Sequence, residues 1–96
     1  MDKLSQEDID ARLEGFSEWS LSGEAIQRTF SFEDFRGAMA FVNRIAELAE
    51  EHQHHPDIMI RYSKVTLTIS THEAGGLTEK DFELARDTDA VVVTTS

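Results

Sequence analysis

The amino-acid sequence predicts an α+β fold, a four-stranded antiparallel sheet covered on one face by helices. Two observations support this prediction: three S/T-x-x-D capping boxes, each typical of a helix start, and two pairs of short segments with apolar residues at alternate positions. Along the chain they give the order α-β-β-α-β-β-α. Hairpins separated by a helix favour an antiparallel sheet whose apolar face packs against the helices.

Each predicted helix start combines a capping box with a flanking pair of apolar residues. The boxes are Ser5 with Asp8, Ser31 with Asp34, and Thr78 with Asp81, and the apolar pairs are Leu4 with Ile9, Phe30 with Phe35, and Leu77 with Phe82. In such a box the hydroxyl and the carboxylate satisfy N–H groups of the first turn, and the apolar pair meets across it. The two signals together predict three helices.

The central helix is predicted over residues 32–51, with one apolar stripe facing the core. The stripe comprises Phe35, Ala38, Met39, Val42, Ala46 and Ala49. Pro56 cannot extend the helix and biases His55 toward an extended conformation. We therefore expect His54 and His55 in a loop held by the end of this helix.

The segments between the helices predict two hairpins, because their apolar side chains recur at every second position. The later hairpin comprises residues 58–62 and 65–70 with a turn at Ser63-Lys64, and the earlier one comprises residues 18–21 and 25–32. Continuing the alternation of the last strand puts His72 on its polar side. We therefore expect His72 to face solvent or to line a cleft.

The C-terminal residues break the helical pattern. They are rich in β-branched side chains, which have low helix propensity, so we expect the third helix to end near Asp89. For the apolar run Val91-Val92-Val93 three outcomes stay open: packing on the same chain, addition to the surface of a partner subunit, or mobility.

Composition limits the classes of partner and compartment. The 96 residues suit a single domain, residues 1–96, and the formal net charge of −10 repels nucleic acid phosphates and anionic lipids. The first residues lack the layout of a signal peptide, no apolar run approaches the ~20 residues of a membrane span, and there is no cysteine. We therefore expect a cytoplasmic protein that directly binds neither nucleic acid nor membranes.

The histidines are the most concentrated chemistry in the chain. His52, His54 and His55 fall within four residues, and His72 follows the last predicted strand. Imidazole exchanges protons near neutral pH because its unperturbed pKa is about 6.5, and it also binds metals. No H-E-x-x-H motif is present and adjacent histidines usually point in different directions, so we expect no metal site. Acid/base chemistry is the favoured interpretation.

The residues around these histidines resemble the signature of the pterin-4a-carbinolamine dehydratases. The matching positions are Glu50-x3-His54-His55-Pro56-x5-Tyr62-x9-His72-x8-Asp81, with Phe30-Ser31-Phe32-x-Asp34-Phe35-x2-Ala38-x2-Phe41 before them and Gly75-Gly76-Leu77-Thr78 after His72. The resemblance covers about residues 4–86. Seven specified positions at fixed spacing are more specific than one short motif.

The resemblance implies a small, cofactor-free enzyme that removes water from a 4a-hydroxytetrahydropterin and gives the quinonoid dihydropterin, in the recycling of tetrahydrobiopterin. It also implies the sheet-and-helix fold predicted above and assembly into homodimers or homotetramers. Some animal members of the family bind a dimerising transcription factor. Because fold alone is a weak guide to function, a non-catalytic protein-interaction module on the same fold is the alternative.

By the same resemblance, the candidate catalytic residues are His54, His55 and His72. His54 and His72 would transfer protons at the two faces from which the hydroxyl can leave, and His55 would mainly hold the pterin. The chemistry suits imidazole, since the leaving oxygen must gain a proton while a ring nitrogen loses one.

The candidate substrate-binding residues are Glu50, Trp19 and Asp81. Glu50 could orient a histidine, and Trp19 could pack its flat indole against the pterin. Each also has a structural interpretation: an exposed helix carboxylate for Glu50, core packing for Trp19, and a helix cap for Asp81. The segment Phe16-Ser17-Glu18 lacks the glycine that commonly precedes this tryptophan in the family, which leaves both interpretations of Trp19 open.

Overall fold

The computed structural model describes residues 2–95 and confirms the predicted α+β architecture. The elements are α1 (Gln6–Leu13), β1 (Ser20–Ser22), β2 (Ala25–Ser31), α2 (Phe35–His52), β3 (Asp57–Arg61), β4 (Lys64–Ile69), a single 3-10 turn (His72–Ala74) and α3 (Glu79–Thr95). This is the order α-β-β-α-β-β-α that the sequence predicts. Within the described residues, no helix is long and apolar enough to cross a membrane.

The four strands form one antiparallel sheet in the order β1-β2-β4-β3. The longest pairing joins β2 to β4, from Ile26 opposite Ile69 to Ser31 opposite Lys64. β3 pairs with the other side of β4, with Asp57 opposite Thr68. β4 is therefore central, and the chain leaves it directly into the turn that carries His72.

The core lies on one face of the sheet, between the strands and the helices α2 and α3. Along β4, Val65, Leu67 and Ile69 are buried, whereas the alternate residues are exposed or half-buried, as the period-two pattern predicts. Phe41 of α2 packs against Phe30 with ring centroids 4.7 Å apart. The other face of the sheet is polar, with threonine and glutamine side chains joined across the strands.

α2 begins later than the capping-box prediction. Its N-cap is Asp34, whose carboxylate accepts a hydrogen bond from the Gly37 N–H at 2.9 Å, because Ser31 still belongs to β2. The predicted apolar stripe is also partly wrong, since Phe35 and Ala46 are exposed. The face that packs on the sheet comprises Ala38, Phe41, Ile45 and Ala49.

α3 does not end near Asp89, as its β-branched residues suggested, but continues to Thr95. Val91 is buried in the core cluster and Val92 packs against it, so tertiary packing overrides the low helix propensity of valine. The side chain of Val93 lies outside the described part of the chain. Of the outcomes left open for this run, Val91 and Val92 take the first and pack on their own chain.

Candidate active site

Three of the histidines line one cleft of about 190 Å³. The cleft lies where the end of α2, the end of β4 and the start of α3 meet. Its walls are formed by Gln53, His54, His55, Ser70, Thr71, His72, Glu73 and Lys80. Of the six residues proposed from the sequence, the fold thus brings His54, His55 and His72 to one surface.

The end of α2 fixes the backbone before His54. Gln53 adopts a left-handed conformation with φ 51°, which stops the helix and turns the chain. The N–H groups of Gln53 and His54 both reach back to the last helical turn, the latter to the Ala49 carbonyl at 3.0 Å. His54 and His55 are therefore held in a loop anchored to the helix, as Pro56 led us to expect.

A buried aspartate holds the imidazole of His54. His54 Nε2 lies 2.6 Å from Asp81 Oδ1, and the Asp81 side chain has no exposed surface. The second carboxylate oxygen accepts the Thr78 N–H at 2.7 Å and the Thr71 hydroxyl at 2.9 Å. Asp81 is thus both the helix cap that the sequence predicts and the partner of a cleft histidine.

This contact determines the tautomer of His54. An ionised carboxylate only accepts hydrogen bonds, so Nε2 carries the hydrogen that is donated to Asp81. In the neutral ring Nδ1 is then the unprotonated nitrogen. His54 is therefore arranged to accept a proton at Nδ1 and to return it from there.

His72 lies on the 3-10 turn rather than on a strand, because β4 ends at Ile69. Its side chain is exposed at the mouth of the cleft, in agreement with the predicted polar placement. The loop is closed by two backbone hydrogen bonds between Thr71 and Gly76, of 3.1 and 3.3 Å. Since the Thr71 hydroxyl also donates to Asp81, the supports of His72 and His54 are joined.

Glu50 contacts His55 rather than His54. Glu50 Oε2 lies 2.5 Å from His55 Nε2, and the two side chains are 77% and 64% exposed. A polar contact this exposed contributes little to stability, since solvent competes for both groups. Its effect is to orient the imidazole of His55 at the rim of the cleft.

His52 points away from the cleft, to Asp87 on α3 at 2.8 Å. Partial burial acts to raise the pKa of Asp87, but hydrogen bonds from His52 and Arg86 and the charge of Arg86 outweigh it and hold this pKa below its ordinary value. In the part of the chain that the structure describes, no three histidine, aspartate or glutamate side chains are placed to share a metal ion.

Trp19 lies outside the cleft, in the core. It is 4% exposed, packs edge-on against Phe30, and donates its indole N–H to Asp89 at 3.0 Å. Asp89 also accepts a hydrogen bond from Arg28 at 2.7 Å. Trp19 therefore connects β2 to α3 and does not line the cleft.

Several cleft residues were not proposed from the sequence, including Ser70, Thr71, Glu73 and Lys80. They lie next to His72 or on the first turn of α3, and only the tertiary fold shows that they share a wall with His54. Thr71 had one usable signal: it stands between the last strand and a histidine, where a hydroxyl can support the turn.

Comparison with known proteins identifies the family of this chain. The family model described as "Pterin 4 alpha carbinolamine dehydratase" matches residues 2–91. Two relatives carry the name "Putative pterin-4-alpha-carbinolamine dehydratase". The one from Thermomicrobium roseum is 55% identical over 86 residues, covering 90% of this chain and 92% of the relative. The one from Acidobacterium capsulatum is 49% identical over 92 residues, covering 96% and 100%.

Two solved structures are similar in fold. The structure titled transcriptional coactivator/pterin dehydratase from Brucella melitensis has a TM-score of 0.89 and 35% identity, covering 94% of this chain and 98% of that chain. A pterin dehydratase-like protein, titled a RuBisCO assembly factor in the alpha-carboxysome, has a TM-score of 0.62 and 25% identity, covering 75% and 83%. The chain therefore belongs to the pterin-4a-carbinolamine dehydratase family.

Proposed function

We propose that the protein dehydrates a 4a-hydroxytetrahydropterin to the quinonoid dihydropterin by histidine acid/base catalysis, as a step in tetrahydrobiopterin recycling. The observation that carries the proposal is the cleft itself: His54, His55 and His72 share one surface, and the buried Asp81 holds His54 in a defined tautomer. A protein without chemistry at this surface has no evident need for that arrangement. Membership of the dehydratase family supports the same reaction.

The reaction needs one proton donated to the leaving oxygen and one proton removed from a ring nitrogen. The C–O bond at C4a breaks with its electron pair going to oxygen, which gains a proton and leaves as water, while a ring N–H loses its proton and the C=N bond forms. A neutral imidazole serves as the base and a protonated one as the acid. No net proton is consumed, so the pair of histidines needs only to exchange its roles before the next turnover.

His54 and His72 are the proposed proton-transfer residues, and their surroundings suit this. His54 is nearly buried and fixed by Asp81, whereas His72 is exposed, where it can exchange protons with solvent. His55, oriented by Glu50, is proposed to hold the pterin at the rim. Asp81 has no exposed surface, so it acts on the reaction through His54 rather than by touching substrate.

Stopped-flow absorbance on freshly generated 4a-hydroxytetrahydropterin tests the proposal. We expect His54→Ala and His72→Ala each to lower the dehydration rate by roughly 10² or more, the scale of general acid/base catalysis. His52→Ala is the matched control, because this histidine ends α2 and faces Asp87 instead of the cleft, and it should keep the wild-type rate. If His54→Ala and His72→Ala stay folded with unchanged rates, the proposed mechanism is wrong.

The second candidate function is a protein-interaction module, which would use the outer edge of the sheet. Ile58, Met59, Ile60 and Tyr62, on β3 and the turn after it, are large apolar side chains exposed to solvent. We propose that this edge joins copies of the chain into a homodimer or homotetramer; a different protein partner there would mark an interaction module. Failure of folded wild type to accelerate dehydration would favour the module over the enzyme.

A further inference from the structure

The three cleft histidines differ in what holds their side chains. His54 contacts Asp81, and His55 contacts Glu50. In the part of the chain that the structure describes, the imidazole of His72 forms no hydrogen bond and no ion pair. The position of His72 therefore depends on the backbone of the turn that carries it.

The segment before α1, residues 3–5, runs along the loop that contains this turn. The Leu4 N–H donates a hydrogen bond of 2.7 Å to the carbonyl of Leu77, which ends the loop and is 1% exposed. The next residue, Ser5, is the N-cap of α1. The segment is therefore fixed between the start of a helix and a residue of the core.

Backbone hydrogen bonds continue from this contact to His72. Gly76, the residue before Leu77, exchanges two backbone hydrogen bonds with Thr71, of 3.1 and 3.3 Å, and Thr71 directly precedes His72. Three short stretches of backbone thus lie side by side, with Leu4 on one flank and Thr71 on the other. Movement of the segment before α1 can therefore reach His72 through hydrogen-bonded backbone.

The close approach of this segment also explains why Gly76 is a glycine. A Cβ on Gly76 would lie 2.7 Å from Lys3 Cδ, well inside the separation of about 3.5–4.0 Å at which carbon atoms pack. The Lys3 stem therefore covers the backbone of the loop at the point where it pairs with Thr71. Gly75 has a different role, since its φ of +75° ends the 3-10 turn.

We propose that residues 3–5 hold the turn of His72 in its catalytic position, with Lys3 and Leu4 as positioning residues. The proposal rests on the proposed dehydratase function, because it concerns proton transfer by the same histidine. Neither residue lines the catalytic cleft, so both act through the loop rather than by touching substrate.

Leu4→Pro tests the proposal, because proline lacks the N–H that bonds to Leu77 and keeps an apolar side chain. We expect kcat to fall by about fivefold or more and KM to stay within about twofold, since the contact supports the chemical step rather than binding. Asp2→Pro is the matched control and should keep the wild-type kcat. The Asp2 N–H forms no hydrogen bond to the rest of the described chain.

Lys3→Gly provides a second variant if Leu4→Pro does not fold. It removes the stem over Gly76 and leaves the Leu4 hydrogen bond in place, and it should lower kcat in the same direction. An unchanged kcat in every folded variant of Lys3 and Leu4 would overturn the proposal.

A His72→Ala background tests whether the effect passes through His72. If it does, Leu4→Pro lowers kcat in the wild-type background but leaves the residual rate of His72→Ala unchanged, because both substitutions remove the same contribution. Equal fold losses in the two backgrounds would show that the segment only stabilises the protein in general. That result would also overturn the proposal.

Amide hydrogen exchange provides a measurement that does not depend on activity. In Leu4→Pro the amides of Thr71 and Gly76 should exchange about tenfold faster, whereas those that pair β2 with β4 should keep their wild-type rates. Unchanged exchange at these two amides would refute the support of the loop and leave the dehydratase function standing. If folded wild type accelerates no dehydration, the dehydratase proposal fails, and the catalytic role of the segment fails with it.

Discussion

Asp81 shows how much one buried carboxylate can do in a small protein. It accepts hydrogen bonds from the Thr78 N–H, the Thr71 hydroxyl and His54 Nε2, from three different parts of the chain. An unpaired buried carboxylate is costly, and each of these donors lowers that cost. The pairing that stabilises the start of α3 is therefore the same pairing that positions a cleft histidine.

Replacing Asp81 with asparagine should reverse the tautomer of His54. The Asn amide can donate to Nε2, which would place the ring hydrogen on Nδ1 and remove the basic nitrogen from that position. We expect kcat/KM to fall by roughly tenfold or more, since acid/base catalysis contributes roughly 10²–10⁴-fold. The measurements are the pH profile of kcat/KM and the nitrogen chemical shifts of ¹⁵N-labelled histidine.

Thr78→Ala is the matched control for this substitution. It removes a capping hydroxyl, which accepts from the Lys80 N–H at 3.3 Å, but leaves the Asp81 carboxylate in place. It should lower stability while the tautomer and the pH profile stay as in wild type. An unchanged His54 tautomer in Asp81→Asn would contradict the positioning role.

Local sequence patterns predict part of this site, but they do not predict contacts between residues that are far apart in the chain. The capping box at Thr78 identifies Asp81 as a cap, and Pro56 places His54 in a loop, but no local pattern reports that the two side chains meet. Trp19 shows the opposite difficulty. Its bond to Asp89 spans 70 residues, so the sequence alone cannot distinguish a core tryptophan from one in the cleft.

The helices α2 and α3 pack side by side, and His52 with Asp87 joins them beside the cleft loop. His52 is the last residue of α2, and Asp87 lies midway along α3. Because the hydrogen bonds of Asp87 lower its pKa in the folded state, ionised Asp87 contributes to stability. The stability that the His52–Asp87 contact contributes therefore depends on pH.

The lowered pKa of Asp87 predicts how the free energy of unfolding changes at acidic pH. A lowered pKa stabilises the folded state above the unfolded pKa of about 3.9, and the contribution is lost as pH falls through the lower folded value. In urea unfolding from pH 7 to pH 2, wild type should exceed Asp87→Asn in free energy of unfolding near neutrality. The difference should shrink below about pH 4.

Glu18→Gln serves as the comparison, since this exposed carboxylate forms no ion pair with the described side chains. Its difference from wild type should be small at every pH. A difference between wild type and Asp87→Asn that is constant down to pH 2 would contradict the linkage.

Element types were more predictable than element ends. Apolar alternation identified β4 and its buried face, because the period of a strand is a local property. The α2 cap was misplaced by three residues, since both Ser31 and Asp34 are good caps and the pairing of Ser31 with Lys64 decides between them. The end of α3 was misplaced because burial of Val91 outweighs its propensity.

The exposure of β3 is not explained by the structure of a single chain. It forms one edge of the sheet, pairs only with β4 on its other side, and all five of its residues are exposed. An edge strand offers free N–H and C=O groups to a further strand, and natural proteins usually protect such an edge. Here it carries isoleucines and a methionine instead, which favours coverage by a second copy.

Antiparallel addition of β3 from a second copy would satisfy both the backbone groups and these apolar side chains. We expect wild type to sediment as a dimer or tetramer, and Ile58→Lys with Ile60→Lys to lower its mass. Leu21→Lys is the matched control, because Leu21 is a similarly exposed apolar residue on β1, at the opposite edge.

Salt gives an independent check on the same contact. Two copies with a formal charge of −10 each repel one another. Salt screens that repulsion, because the Debye length falls from about 30 Å at 10 mM to about 8 Å at 150 mM. Association through an apolar edge should therefore strengthen over this range of salt concentration. An interface held by ion pairs would weaken instead. A monomeric wild type, or equal loss of mass in the β3 and Leu21 variants, would show that β3 does not join the subunits.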